Sequence, residues 1–199
     1  MSEHDVTREG PDVTACERCP DLCASRSRIV NGVGPEDAAL CFLGEAPGAN
    51  EDEEGEPFVG RSGDVLEEAL REVGLARADI RITNCARCRP PENRDPSDEE
   101  LANCRPNLEH ELDHVDPELV VAMGKVPSEH LLDRSVAVTN EAGTIETVEI
   151  GDTRRDVLVC VHPAATLYDR SQRSTFRAAI EKAATVAGAE SGQSSLGDF

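Results

Sequence analysis

Four short runs of apolar and β-branched residues, at 40–43, 80–83, 119–123 and 157–161, narrow the folds open to this chain more than any other feature. Stretches with helical periodicity separate them, which is the alternation a parallel sheet with crossover helices requires. Each run also stops at a small or polar residue: Gly44-Glu45, Asn84, Gly124 and His162-Pro163. In a parallel sheet these ends gather at one carboxyl edge, where an open α/β fold places its ligand crevice.

The intervening helices can be read directly. Residues 62–73 carry Val65, Leu66, Ala69, Leu70 and Val73 on one face, and Gly74 stops them. Ser97-Asp98-Glu99-Glu100 has capping-box spacing and opens a helix through about His114. Further helices are expected near 127–132 and 175–186. Residues 135–155, with Gly143, Gly151 and alternating Val, Thr and Ile, read as a hairpin excursion. Residues 1–12 and 188–199 lack apolar periodicity, so disordered tails are expected around a single α/β domain at 13–187.

Forty acidic residues against twenty basic give a formal charge of −20, and only Lys125 and Lys182 among the cations are lysines. Such a surface repels nucleic acid at ordinary ionic strength. In molar salt the Debye length falls to about 3 Å and the repulsion fades. An acidic chain that keeps Arg and sheds Lys fits a halophile better than an ordinary cytoplasm, so charge does not exclude a DNA partner. Nothing resembles a signal peptide or a membrane span, so a cytoplasmic chain without a membrane partner is expected.

The first run leads into Gly44-Glu45-Ala46-Pro47-Gly48-Ala49-Asn50-Glu51-Asp52, then Pro57-Phe58-Val59-Gly60-Arg61. Glycines and prolines here let the backbone approach a ligand closely; a sharp turn with solvated acids is the plainer alternative. Eight cysteines are many for a reducing compartment. Cys16-x2-Cys19, with Cys23 nearby, and Cys85-x2-Cys88, with the later Cys104, form two clusters, which suit either an iron–sulfur group or tetrahedral zinc. Cys41 and Cys160 lie inside apolar runs as small core residues.

Taken in order, these motifs resemble the family 4 uracil-DNA glycosylases, the iron–sulfur branch of that superfamily. The matching residues are Cys16-x2-Cys19-Pro20, Gly44-Glu45-Ala46-Pro47-Gly48-x2-Glu51-Asp52, Pro57 to Arg61, Asn84-x3-Cys88-Arg89-Pro90-Pro91-x-Asn93-Arg94, Cys104 and His162-Pro163-Ala164. The resemblance covers about residues 14–185. It implies a three-layer α/β/α sandwich around a four-stranded, mainly parallel sheet, and a monomeric enzyme that hydrolyses the N-glycosidic bond of uracil in DNA. It also implies a [4Fe–4S] cluster on Cys16, Cys19, Cys88 and Cys104, leaving Cys23 and Cys85 as packing residues.

The implied roles agree with the chemistry of the side chains. An Asn amide complements uracil, its NH2 facing O4 and its carbonyl facing N3–H, whereas cytosine reverses both groups. Asn84 matches that position, Phe58 matches a ring stacking on the extruded base, and backbone at Ala46 completes the pocket. His162 is expected to hydrogen-bond uracil O2 and stabilise the departing anion. Glu45 and Glu51 are the carboxylates that can orient water or counter a positive sugar, their division of labour left open, and Asn93 is a water or backbone positioner. Asp52 reads as solvated surface. Arg61, Arg89 and Arg94 are candidate phosphate contacts, and Leu167, Tyr168 and Arg170 candidate fillers of the vacated stack. The tail Gln193-x2-Leu196-x2-Phe199 resembles a sliding-clamp-docking peptide, with Gln193, Leu196 and Phe199 as its contacts. Two rivals remain: a glycosylase of broader deaminated-base specificity, and a catalytically silent iron–sulfur DNA-binding module.

Overall fold

The computed structural model describes residues 6–188. Residues 1–5 and 189–199, and with them the Gln193, Leu196 and Phe199 peptide, lie outside the described residues.

A five-stranded sheet forms the centre. Its strands are β3 (Leu40–Gly44), β4 (Arg81–Asn84), β5 (Leu119–Met123), β6 (Ile145–Ile150) and β7 (Thr153–Cys160), in the spatial order β4-β3-β5-β7-β6. The four expected runs are mutually parallel. The expectation of four strands is corrected by one: β6 pairs antiparallel with β7, from Ile145 opposite Leu158 to Ile150 opposite Thr153. The 135–155 excursion is thus the hairpin that adds an edge strand. Its half-buried alternation distinguishes β6 from the four buried runs.

The tail expected at 1–12 is also corrected. Val6–Glu9 (β1) and Asp12–Cys16 (β2) form an antiparallel hairpin. Arg8 Nη2 donates to Asn107 Oδ1 at 2.7 Å, while the Asn31 side chain accepts from Val13 N at 2.9 Å and donates to Val13 O at 3.1 Å. These contacts span up to 99 residues, so no local pattern could announce them.

Helices cover both faces. α3 (Arg61–Glu72) and α8 (Gln172–Val186) pack on the side reached by Phe42, Ile82, Val121 and Leu158. α4 (Asp98–Val115) and α5 (Lys125–Leu132) cover the side reached by Cys41, Leu43, Val120 and Val157. The period-two alternation of each strand divides the core in this way. Four shorter helices fill the loops: α1 (Pro20–Ser25), α2 (Ala49–Glu54), α6 (Val138–Glu141) and α7 (Ala165–Tyr168). Ser97 caps α4 as expected, its Oγ accepting from Glu100 N at 3.2 Å and its own N–H donating to Glu100 Oε2 at 2.7 Å.

One charged group sits under the sheet's edge. Glu111 of α4 is fully buried between Arg81 and Arg87, with Arg81 Nε donating to its Oε1 at 2.7 Å and Arg87 to its Oε2. Arg87 also donates to Asn31 Oδ1 at 2.9 Å, tying the hairpin, the exit of β4 and α4 together.

Candidate active site

Parallel pairing sets Gly44 beside Asn84 at the ends of β3 and β4. Gly44 must lack a side chain: a Cβ there would lie 2.3 Å from Asn84 Oδ1 and 2.4 Å from Phe58 Cε2. The missing atom is the space that lets an amide and a ring converge. A cavity of about 200 Å³ opens at this edge, lined by Glu45, Ala46, Gly48, Glu51, Phe58, Ser62, Asn84 and His162.

Phe58 is held under constraint. It adopts φ +55°, unfavourable for a bulky side chain. Arg77 fixes it, donating from Nη1 to Phe58 O at 3.0 Å and from Nη2 to Pro57 O. Gly63 of α3 makes room beneath, since a Cβ there would collide with Phe58 O at 1.9 Å. The Phe58 ring faces the His162 imidazole with centroids 5.7 Å apart and planes at 33°. The ring packs into the hydrophobic core on one side and borders the cavity on the other, so a flat group entering the cavity would meet it.

His162 follows β7 at the same edge. Its Nδ1 accepts from Ala164 N at 3.1 Å, so the neutral ring carries its proton on Nε2. Burial pushes its pKa down to about 4, keeping it neutral near pH 7. It therefore offers a neutral N–H donor. Gly124, at φ +107°, lies alongside, where a Cβ would come within 3.3 Å of His162 Cβ.

The two carboxylates differ. Glu51 Oε2 accepts from Gly48 N at 3.1 Å and closes the first turn of α2. Glu45, half-buried, is pushed up to about 7 by desolvation first and then by the neighbouring Asp95 carboxyl. Asp52 corrects the reading of it as solvated: it is 3% exposed, and its carboxylate accepts from Ser27 N at 2.9 Å and from Arg28 N at 3.3 Å. It anchors α2 to the segment that follows α1.

The structure does not bring Asn93 to this cavity. Asn93 is exposed at φ +54° in the short 3₁₀ turn Pro91–Asn93, and its Oδ1 accepts from Arg89 Nε at 2.7 Å. Arg94, a candidate phosphate contact, pairs with Glu100 through bonds of 2.8 and 2.7 Å. Ser62 and Asp95 were passed over in the sequence. Ser62 could have been found as a polar residue at the start of a helix that follows the Gly60 loop. Asp95 carries no such local signal.

A second cluster lies behind the site. Cys16, Cys19, Cys23, Cys88 and Cys104 line one small cavity together with Arg18, Arg26, Arg87 and Asn107. Arg26 Nη1 donates to Cys88 Sγ at 2.7 Å, and Asn107 Nδ2 approaches Cys104 Sγ at 3.9 Å. Burial pushes the Cys19 thiol up to about 11 and the Cys88 thiol up to about 12. Among the described residues no three His, Cys, Asp or Glu side chains draw close enough to hold a single ion. Cys41 and Cys160 are buried core residues, and so is Cys85.

The model of the uracil DNA glycosylase superfamily matches residues 31–184. The Type-4 uracil-DNA glycosylase of Archaeoglobus fulgidus is 36% identical over 188 residues, covering 92% of this chain and 92% of that protein. The Type-4 uracil-DNA glycosylase of Thermotoga maritima is 38% identical over 174 residues, covering 86% of this chain and 88% of its own. A Type-5 uracil-DNA glycosylase of Pyrobaculum aerophilum is 30% identical over 179 residues, covering 75% and 78%.

Proposed function

This chain belongs to the Type-4 uracil-DNA glycosylases of the uracil DNA glycosylase superfamily, and it is an enzyme that excises uracil from DNA in repair; from that premise we propose how its own residues do so. The observation that carries the proposal is the convergence of Asn84, Phe58 and His162 on one cavity at the carboxyl edge of the sheet.

Uracil must leave the stack to reach that edge, at a cost of about a few kcal/mol that is smallest for a mispaired base. Asn84 reads its N3–H and O4 edge, and Phe58 stacks on its face. As the glycosidic bond lengthens, negative charge collects on the base and positive charge on the sugar. His162, neutral with its proton on Nε2, donates to O2 and stabilises the base as an anion without needing to titrate. Glu45 and Glu51, which also line the cavity, counter the sugar's charge and hold the attacking water. Tyr168, 86% exposed at the end of α7 and six residues beyond His162, is suited to fill the gap in the stack.

Cys16, Cys19, Cys88 and Cys104 are the residues that would hold a [4Fe–4S] cluster. Their fit rests on donors already aimed at sulfur from Arg26 and Asn107, and on guanidinium groups of Arg8, Arg18 and Arg87 nearby, which suit an anionic group of thiolates. When bound, the cluster would crosslink β2, α1, the exit of β4 and α4. Asp52 then couples that crosslink to α2 and the cavity.

Two further readings rest on sequence. The acid excess fits work in high salt, where stacking and pocket fit carry more of DNA binding than phosphate contacts do. Gln193, Leu196 and Phe199 fit a clamp-docking tail. No helix among the described residues is long and apolar enough to cross a membrane. The mechanism is tested with Asn84→Ala: uracil release should be lost while binding to uracil-containing DNA persists. Retained release would remove Asn84 as the reader of the base.

A further inference from the structure

Arg26 closes α1 as its C-cap, its backbone N–H donating to Leu22 O at 2.9 Å. Its guanidinium forks onto two of the four candidate cluster ligands: Nη1 donates to Cys88 Sγ at 2.7 Å and Nη2 to the Cys16 carbonyl at 2.6 Å. Cys19, a third, is the N-cap of the same helix. A thiolate bound to iron remains a hydrogen-bond acceptor, so the bond from Arg26 suits the ligand role of Cys88. The two residues that follow reach the other way. Ser27 N donates to both oxygens of the Asp52 carboxylate at 2.9 Å, and Arg28 N to Oδ1 at 3.3 Å. The Arg28 side chain lies against Gly55, the C-cap of α2, where a Cβ would come within 3.2 Å of Arg28 Cδ. Asp52 is the one buried residue of α2, so the helix has no apolar anchor and these contacts hold it. Glu51 precedes Asp52, accepts from Gly48 N at 3.1 Å and lines the base cavity.

We propose that Arg26 is a positioning residue for Glu51, tying the cysteines that would hold the cluster to the carboxylate that α2 presents to the base cavity. This rests on the glycosylase reading, in which Glu51 counters the sugar's charge or holds the water. The tie is a continuous run of contacts: from Cys88 and Cys16 to Arg26, along the backbone to Ser27 and Arg28, and through Asp52 to α2. A guanidinium suits the first link because its planar fork meets two acceptors at once, which an ammonium does not. The groups that take up the base are held by other means. Asn84 ends β4, His162 follows β7, and Arg77 fixes the backbone of Phe58. Loosening the tie therefore weakens the action of Glu51 on the transition state and leaves uptake of the base intact.

The test measures kcat and KM for uracil release, with hydrogen exchange at the Ser27, Arg28 and Gly48 amides, in the full chain, in Arg26→Ala and in Arg26→Lys, compared at equal iron content. The proposal expects kcat to fall about tenfold in both variants with KM unchanged, and the three amides to exchange faster. Asp52→Asn, which leaves the cysteines and Arg26 in place, should lower kcat alike. The double variant of Arg26→Ala and Asp52→Asn should then fall no further than the lower single. Losses that multiply, an unmoved kcat, or unchanged exchange at Gly48 would overturn it. Should Arg26→Ala fail to hold iron, Arg26→Lys decides by the same readings. If the unsubstituted chain releases no uracil, the glycosylase reading fails, and exchange alone decides the tie: faster exchange at Gly48 in the variants upholds it and unchanged exchange overturns it.

Discussion

At His162 and Glu45 the same force, burial, acts on opposite charges, and the consequences for stability run in opposite directions. The His162 pKa is lowered to about 4, so the unfolded chain binds the proton more readily than the folded one. Its contribution to stability is complete above about pH 6.5 and is lost as pH falls toward 4. Glu45 is raised to about 7, so its ionisation costs stability above that pH and costs nothing below about 4.5. Glu45→Gln should therefore raise the melting temperature at pH 8 and lose that advantage by pH 5, while slowing uracil release. A melting temperature unchanged at both pH values would contradict the desolvation account. Gly44→Ala should leave the sheet folded but push Asn84 and Phe58 apart, with a loss of about 10²-fold in kcat/KM, read from release kinetics beside a circular dichroism spectrum. Much of the site was legible at this scale, because Asn84 and His162 end apolar runs and Phe58 is one of four phenylalanines. Asp95 and the burial of Asp52 were not. Their partners lie 50 and about 25 residues away, and a carboxylate beside a distant backbone amide reads in sequence like any exposed acid.

Among elements, legibility followed burial. β3, β4 and β5 are buried throughout, so their apolar runs stand out, and Ser97 announces α4 by its cap. α2 was missed because Ala-Asn-Glu-Asp-Glu-Glu offers no apolar stripe; Glu51 on Gly48 N–H and Asp52 on Ser27 N–H hold it instead. Asn93 does not line the cavity: its turn runs through positive φ at both Glu92 and Asn93, and its Oδ1 accepts from Arg89 Nε. Removing the α2 anchor tests this directly. Asp52→Ala leaves the Ser27 and Arg28 N–H groups without their acceptor and should cost about 2 kcal/mol in a denaturant melt. A change within a few tenths of a kcal/mol would mean that α2 is held by other contacts.

For the whole molecule, the catalytic edge and the cysteine cluster sit on one scaffold of long-range polar contacts, with Glu111 between Arg81 and Arg87 at its centre. Glu111→Ala should destabilise the chain by about 3–5 kcal/mol, because it strands two buried guanidinium groups; a far smaller loss would show that water reaches them. Parallel topology explains why so much of the function was readable in advance: it converts four sequence-distant strand ends into one edge. The hairpin of β1 and β2 escaped notice because what holds it lies on α4 and near β4. The central claim, that this edge excises uracil, is tested most directly by incubating anaerobically purified protein in high salt with an oligonucleotide bearing a single uracil and measuring the free base. The account predicts release of uracil, leaving an abasic site, and no release from thymine or cytosine at that position. Folded protein that leaves uracil in place under those conditions would contradict it.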